Sequence, residues 1–174
     1  MTTSLILGGV KSGKSRLAEH YAKNTGLSVY YIATAQAGDE EMQKRIQYHQ
    51  QSRPSDWITI EEPIKLSATI KKYCLKNQCV LVDCLTLWLT NLLLSDNEAV
   101  ISSEIDALLT SLKQTEGELI LVSNETNMGI VPLGELSRRY CDEIGLLHQR
   151  IAQVSDNVIL TIAGLPHSLK GQLA

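Results

Sequence analysis

Short apolar runs alternate with longer amphipathic segments along this chain. Six runs rich in aliphatic and β-branched residues end in a turn or polar residue, and we interpret them as strands: Ser4–Leu7, Val29–Ala33, Trp57–Ile60, Cys79–Val82, Glu118–Val122 and Val158–Ala163. Apolar residues that recur every three or four positions predict two helices with core-facing stripes: Ile101, Ile105, Leu108 and Leu112, then Leu133, Leu136, Tyr140, Ile144, Leu147, Ile151 and Val154.

This alternation predicts an α/β fold, with a mainly parallel sheet that helices cover on both faces. A length of 174 residues fits one domain over residues 1–174. Ligands of such sheets bind at the carboxyl ends of the strands, so functional residues are expected directly after each strand.

Composition and charge narrow the function classes. With 16 basic against 19 acidic residues the net charge is −3, which gives no general attraction for nucleic acid or an anionic membrane. The apolar stretch from Cys84 to Leu94 is too short to span a bilayer, and the N-terminus lacks the basic start of a signal peptide. The chain has four cysteines, and they are not spaced as the ligands of a zinc site are: Cys74, Cys79, Cys84 and Cys141. We therefore predict a cytoplasmic protein with reduced thiols.

A phosphate-binding motif follows the first predicted strand. Its residues are Gly8, Gly9, Val10, Lys11, Ser12, Gly13, Lys14 and Ser15, in the pattern Gly-x-x-x-x-Gly-Lys-Ser, and a helix-forming segment follows. The glycines let backbone N–H groups surround phosphate oxygens, the lysine reaches the β- and γ-phosphates, and the serine hydroxyl ligates Mg²⁺. The alternative is a glycine-rich turn without a ligand. In this context the motif predicts a P-loop NTPase-like fold that binds a nucleoside triphosphate.

Asp83 ends the apolar run that starts at Cys79. P-loop folds place there the carboxylate that holds Mg²⁺ or its waters, whereas the alternative is an aspartate that caps the next helix. The chain contains no Asn-Lys-x-Asp motif for reading guanine, which disfavours GTPases. Kinases, transferases and ATPases remain.

The segment from Asp39 to Pro54 begins with acidic residues, ends at proline and predicts one helix. His49 lies on it between Arg45 and Arg53, one turn away on either side, so this surface would attract phosphate. A lone histidine of this kind is more often solvated or hydrogen-bonded. These residues alone do not make His49 catalytic.

Several motifs in order along nearly the whole chain resemble one family. They are the loop from Gly8 to Arg16, Tyr31–Gln36, Glu41-Met42 with Arg45-Ile46 and His49, Arg53-Pro54, Trp57–Glu61, Val82–Leu93, and Val122–Glu125 with Met128–Pro132. In these motifs the chain resembles the bifunctional adenosylcobinamide kinase/adenosylcobinamide-phosphate guanylyltransferases of cobalamin biosynthesis.

The resemblance implies two reactions. A kinase step passes the γ-phosphoryl group of ATP or GTP to adenosylcobinamide, and a second step transfers GMP from GTP to adenosylcobinamide phosphate through a covalent intermediate on His49. Lys14 would serve catalysis with His49, and Ser15 and Asp83 would hold Mg²⁺. The remaining nucleotide-site residues implied are Thr34, Ala35, Gln36, Gln50, Gln51, Ser52, Arg53 and Glu61. For Glu61, the neighbouring Glu62 is an equal candidate by sequence. The family also implies a homotrimer, to which Leu85–Leu94 would contribute unless it is an ordinary buried helix.

Two positions depart from the family pattern. Asn127 stands where glycine is expected, and asparagine is the residue that best replaces glycine at positive φ. His148 stands where asparagine is expected. Two other functions remain open at this point: a monofunctional small-molecule kinase in which His49 is inert, and a non-enzymatic nucleotide-binding module.

Overall fold

A seven-stranded sheet forms the centre of the computed structural model, which describes residues 1–36 and 54–173. The strands are β1 (Thr3–Gly8), β2 (Ser28–Ala33), β3 (Ile58–Glu61), β4 (Gln78–Asp83), β5 (Glu118–Asn124), β6 (Asn157–Ile162) and β7 (Leu165–Lys170). The helices described are α1 (Lys14–Asn24), α2 (Leu66–Tyr73), α3 (Leu85–Leu94), α4 (Glu98–Leu112) and α5 (Glu135–Val154).

The sheet order is β3-β2-β4-β5-β1-β6-β7, and every neighbouring pair is parallel except β6 and β7. This confirms the predicted α/β class with a mainly parallel sheet. Parallel order places the carboxyl ends of β1, β2, β4 and β5 along one edge of the sheet, and the phosphate motif and Asp83 lie at that edge.

Helices cover both faces of the sheet, and successive apolar side chains of the buried strands point to one face and then the other. In β1, Leu5 and Leu7 join the core beneath α2, α3, α4 and α5, whereas Ile6 joins the core beneath α1 with Ala18 and Tyr21. Successive side chains of a strand point to opposite faces, so a strand buried on both sides is apolar at every position.

The apolar stretch Leu85–Leu94 is a helix of the core. Trp88, Leu89 and Leu92 are fully buried, and the indole N–H of Trp88 donates to the carbonyl of Ile64 over 2.8 Å. Leu94 is 67% exposed at its end. Most of the apolar surface of this helix is therefore buried within the chain itself, as expected for an ordinary buried helix.

The structure differs from the sequence analysis at two elements, a helix that starts later than predicted and a strand for which no prediction was made. The second helical stripe was predicted from Leu133, but α5 begins at Glu135, and Leu133 and Leu136 are 96% and 53% exposed. The core-facing part of this stripe includes Ile144 and Ile151. The strand β7 was not predicted at all, because its sequence, Leu-Pro-His-Ser-Leu-Lys, lies at the sheet edge and lacks an apolar run.

No helix among residues 1–36 and 54–173 is long and apolar enough to cross a membrane.

Candidate nucleotide site

The phosphate loop connects β1 to α1 at the carboxyl edge of the sheet. The Ser12 N–H donates to the Gly9 carbonyl over 3.2 Å, which closes a tight turn. Lys11 and Gly13 have φ values of 56° and 96°, so the loop needs the left-handed conformation twice. Glycine adopts this conformation freely, whereas lysine at Lys11 does so at a cost.

Lys14 opens α1, and only 9% of it is exposed. Its Nζ donates to the Gly9 carbonyl over 3.1 Å, so the ammonium group lies folded back into the loop. Burial lowers the pKa of Lys14, and the Asp83 carboxylate partly opposes this effect. A buried cation with one carbonyl partner is well suited to receive a phosphate anion.

Asp83 ends β4 and is half-buried. Its Oδ2 accepts a 2.7 Å hydrogen bond from the hydroxyl of Tyr31 on the neighbouring strand β2. The N-cap residue of α3 is Cys84 rather than Asp83, and within the described part of the chain the Asp83 carboxylate makes no hydrogen bond to this helix. The interpretation of Asp83 as a helix cap is therefore wrong, and Tyr31 holds the carboxylate at the edge of the sheet.

Thr34, which follows β2, is fully buried. Its hydroxyl donates to the Cys84 carbonyl over 2.7 Å and accepts the Cys84 N–H over 2.9 Å, and its carbonyl accepts from Asn91. The Thr34 side chain therefore joins the end of β2 to the start of α3. Ala35 is half-buried and Gln36 exposed, and these two residues present surface where a nucleotide would approach.

The structure distinguishes the two neighbouring glutamates. Glu62 Oε1 accepts the backbone N–H groups of Ile64 and Lys65 over 3.0 and 2.7 Å, so this side chain organises the start of α2. Glu61 ends β3 and is exposed at the carboxyl edge. The exposed Glu61 side chain is compatible with the predicted place of Glu61 in the nucleotide site, which stays a prediction.

A buried polar cluster behind this edge was missed by sequence reasoning. We call His148, Ser123 and Thr86 the β5 cluster. His148 Nε2 lies 2.8 Å from Ser123 Oγ, Ser123 Oγ lies 3.3 Å from Thr86 Oγ1, and Thr86 Oγ1 accepts the backbone N–H of Asn124 over 2.8 Å. The cluster links α5, β5 and α3. The three residues are far apart in the sequence and come together only in the fold, so no sequence motif indicates the β5 cluster.

Protonation of His148 should destabilise the fold. Burial lowers the pKa of His148, and Glu125, whose Oε2 lies 3.7 Å from Nδ1, only partly opposes this. The unfolded chain therefore binds the proton first, so this residue's contribution to stability falls as pH drops below about 6.5, the ordinary histidine pKa. We expect the melting temperature of His148→Gln to fall less between pH 7 and pH 5 than that of the wild type, and parallel curves would contradict this.

Asn127 does not serve as a glycine substitute. It lacks the positive φ that the sequence argument considered for it. Instead its side-chain amide donates to the Cys141 carbonyl on α5 over 2.7 Å, and its backbone N–H donates to Glu125 Oε1 over 2.8 Å. A Cβ built on Gly145 would lie 2.8 Å from that amide nitrogen, so the glycine in α5 makes room for Asn127.

This contact predicts a coupled effect of two substitutions on stability. Replacing an interior helix glycine with alanine normally stabilises by about 1 kcal/mol, but in Gly145→Ala the new methyl displaces the Asn127 amide, whose hydrogen bond contributes about 1 kcal/mol. In an Asn127→Gly background that offset is absent. Urea unfolding should therefore show a larger gain from Gly145→Ala in Asn127→Gly than in the wild type, and equal gains would disprove the contact.

Burial makes three thiols poor nucleophiles. It raises the pKa of Cys74 and Cys84 to about 11 and that of Cys79 to about 12. Cys141 is half-buried, and all four cysteines are free thiols.

The segment that carries His49 lies outside the described residues. So do Gln50, Gln51, Ser52 and Arg53, which belong to residues 37–53. Of the predicted site residues, the phosphate loop, Asp83, the Thr34–Gln36 segment and Glu61 all follow or end strands at the carboxyl edge of the sheet.

Oxygen donors at this edge fit magnesium. Mg²⁺ binds through one or two carboxylates together with phosphate oxygens and waters. Within residues 1–36 and 54–173, no three His, Cys, Asp or Glu side chains cluster closely enough to hold a metal alone. Asp83 and Ser15, both half-buried at this edge, are oxygen donors of the kind that such a magnesium ion takes from a protein.

Comparisons with known proteins agree on one family. The family model described as cobinamide kinase / cobinamide phosphate guanyltransferase matches residues 4–169. The bifunctional adenosylcobalamin biosynthesis protein CobP of Pseudomonas aeruginosa is 58% identical over 168 residues, which cover 97% of each chain. CobU of Escherichia coli, also named a bifunctional adenosylcobalamin biosynthesis protein, is 35% identical over 179 residues, covering 95% of this chain and 98% of the relative.

Solved structures show the same fold at low sequence identity. The RadB recombinase superposes with a TM-score of 0.53 at 16% identity, covering 91% of this chain and 73% of RadB. The Pyrococcus horikoshii OT3 protein PH0250 superposes with a TM-score of 0.56 at 10% identity, covering 98% and 86%. These likenesses support the P-loop NTPase-like architecture.

Proposed function

Because this chain belongs to the cobinamide kinase / cobinamide phosphate guanyltransferase family, we propose that it phosphorylates adenosylcobinamide and then attaches GMP to the product through a covalent intermediate on His49. The observation that carries the proposal is a phosphate loop whose Lys14 is already turned into the loop, beside the Asp83 carboxylate. The nucleotides are GTP and ATP, which enter as substrates.

In the kinase step, the γ-phosphoryl group of ATP or GTP passes to the hydroxyl of the aminopropanol arm of adenosylcobinamide. The backbone N–H groups of the loop and Lys14 Nζ bind the phosphates and stabilise the transferring charge. Ser15 and Asp83 would hold Mg²⁺, which supplies charge neutralisation on the phosphate oxygens. Tyr31 fixes the Asp83 carboxylate for that role through its 2.7 Å hydrogen bond.

In the guanylyl transfer step, a ring nitrogen of His49 attacks the α-phosphorus of GTP, a nitrogen–phosphorus bond forms, and pyrophosphate leaves. Neutral imidazole predominates above its ordinary pKa of about 6.5, so the attack needs no strong base. A phosphate oxygen of adenosylcobinamide phosphate then displaces His49 from GMP and gives adenosylcobinamide-GDP. Lys14 in this step stabilises the charge of the departing pyrophosphate.

A product analysis tests this proposal against its alternatives. Purified protein is incubated with Mg²⁺ and adenosylcobinamide, first with ATP alone and then with added GTP, and the corrinoids are identified by mass. We expect adenosylcobinamide phosphate in the first reaction and adenosylcobinamide-GDP in the second. A reaction that stops at the phosphate would support the monofunctional kinase, and nucleotide binding without a corrinoid product would support the binding module.

We further propose a cytoplasmic homotrimer. The loop after β5 carries an exposed apolar strip, in which Met128, Ile130, Val131 and Leu133 are 76%, 99%, 70% and 96% exposed. Apolar surface of this extent is typical of an interaction site. Sedimentation equilibrium should give a mass three times that of the 19.2 kDa chain, and a monomer would contradict the trimer.

A further inference from the structure

The turn between β6 and β7 lies against the phosphate loop. Its two residues, Ala163 and Gly164, have φ values of 53° and 80°, which makes the turn tight. The Gly164 N–H donates to the Ser12 carbonyl over 2.8 Å. This bond joins the C-terminal hairpin to the middle of the loop through backbone atoms alone.

The hairpin leaves little room for a side chain at two glycines of the motif. A Cβ on Gly8 would lie 2.6 Å from the Thr161 carbonyl oxygen, and one on Gly13 would lie 3.1 Å from Gly164 Cα. The first distance is a severe clash, and the second is tighter than most real contacts. The loop and the hairpin therefore touch backbone to backbone at both ends of the loop.

The Gly164 bond also orients a phosphate donor. In a trans peptide, the carbonyl oxygen and the following N–H point in opposite directions. Holding the Ser12 carbonyl toward the turn consequently directs the Gly13 N–H to the side that the turn leaves open. A Gly13 N–H fixed in this way, at the start of α1, needs no reorganisation when phosphate binds.

We propose that Gly164 is a positioning residue for nucleotide binding, and that the β6–β7 turn sets the conformation of the phosphate loop. This inference rests on the proposed use of the loop for a nucleoside triphosphate. The turn that would contribute to nucleotide binding in this way lies some 150 residues after the motif and carries no recognisable nucleotide-binding motif.

A pair of matched glycine substitutions tests the proposal. Among the residues that the structure describes, a Cβ at Gly164 would meet only Arg16 Nη2, at an ordinary contact distance of 3.5 Å, so Gly164→Ala acts through the strained φ. Gly26, in the α1–β2 turn, has a similar φ of 65°, and no described atom lies within 4 Å of a Cβ built there. Gly26→Ala therefore controls for backbone strain as such.

We expect Gly164→Ala to raise the Kd of GTP with Mg²⁺ about tenfold, equivalent to about 1.4 kcal/mol, whereas Gly26→Ala stays within about twofold of the wild type. In the kinase assay, Gly164→Ala should raise the KM for nucleotide and leave the KM for adenosylcobinamide unchanged. A general loss of stability would not produce that split. Equal nucleotide affinity of the two variants and the wild type would overturn the proposal.

Hydrogen exchange on the unmodified protein covers the case in which Gly164→Ala fails to fold. Saturating GTP with Mg²⁺ should slow exchange in the peptide that contains Gly164 and leave the Gly26 turn unchanged. Unchanged exchange at Gly164 in a protein that demonstrably binds GTP would overturn this inference alone. A wild-type protein that binds no nucleotide would overturn the proposed function as well.

Discussion

Replacing Lys14 with methionine is expected to reduce both the kinase and the guanylyl transfer rates by about 10²–10³-fold, because one fixed charge aimed at the reacting phosphates contributes that much. The fold should survive the change. Lys14 is 9% exposed and its burial lowers its pKa, so keeping it protonated costs stability in the free protein. Methionine fills a similar volume without that charge, and the melting temperature should stay level or rise.

Lys23 provides the matched control for this experiment. It is an exposed lysine in the last turn of the same helix, far from the loop. Lys23→Met should keep both activities near those of the wild type. Steady-state kinetics of both steps, with thermal unfolding of each variant, complete the test. A Lys14→Met protein with near-normal rates would contradict the assigned role of the loop.

Replacing His49 with alanine should separate the two reactions. The nucleophile is lost, so transfer of GMP should fall by about 10³-fold or more. The kinase step does not pass through His49, and adenosylcobinamide phosphate should still form at a rate within a few-fold of the wild type. Parallel assays with ATP and with GTP, using adenosylcobinamide and its phosphate as acceptors, measure both rates.

His20 offers a control for the loss of an imidazole. It is exposed on α1, where its ring hydrogen-bonds the side chain of Asn24 over 3.0 Å. His20→Ala should leave both reactions intact. Equal loss of kinase and transfer activity in His49→Ala would contradict the division of labour between the loop and this histidine.

Much of the fold followed from the periodicity of apolar residues. Strands buried on both faces, such as Cys79–Val82, stand out because every position is apolar, and the structure places them at the centre of the sheet. The antiparallel edge strand Leu165–Lys170 escaped because an edge strand with exposed faces needs no apolar pattern. The helix was predicted to begin too early because Leu133, an exposed apolar residue, has the same spacing as the apolar stripe of α5.

The candidate site likewise contains residues that a local sequence pattern predicts and residues that only the structure shows. Residues in a local motif, such as Lys14, can be predicted from spacing, and Asp83 from its place at the end of an apolar run. The difference between Glu61 and Glu62 could be seen only in the structure, because the hydrogen bonds of Glu62 to the start of α2 join residues whose spacing forms no motif. Gly164 and His148 act through contacts between distant parts of the chain; Gly164 carries no sequence signal, and His148 was marked only as a departure from the family pattern.

The most direct test of the account asks whether GMP becomes attached to the protein. Wild-type protein and His49→Ala are incubated with Mg²⁺ and GTP labelled at the α-phosphate, and the protein is then denatured and examined for retained label. We predict label on the wild type alone, in an acid-labile, base-stable bond, as expected for a phosphoramidate. Wild-type protein that binds GTP but retains no label, or His49→Ala that retains as much as the wild type, would contradict the covalent mechanism.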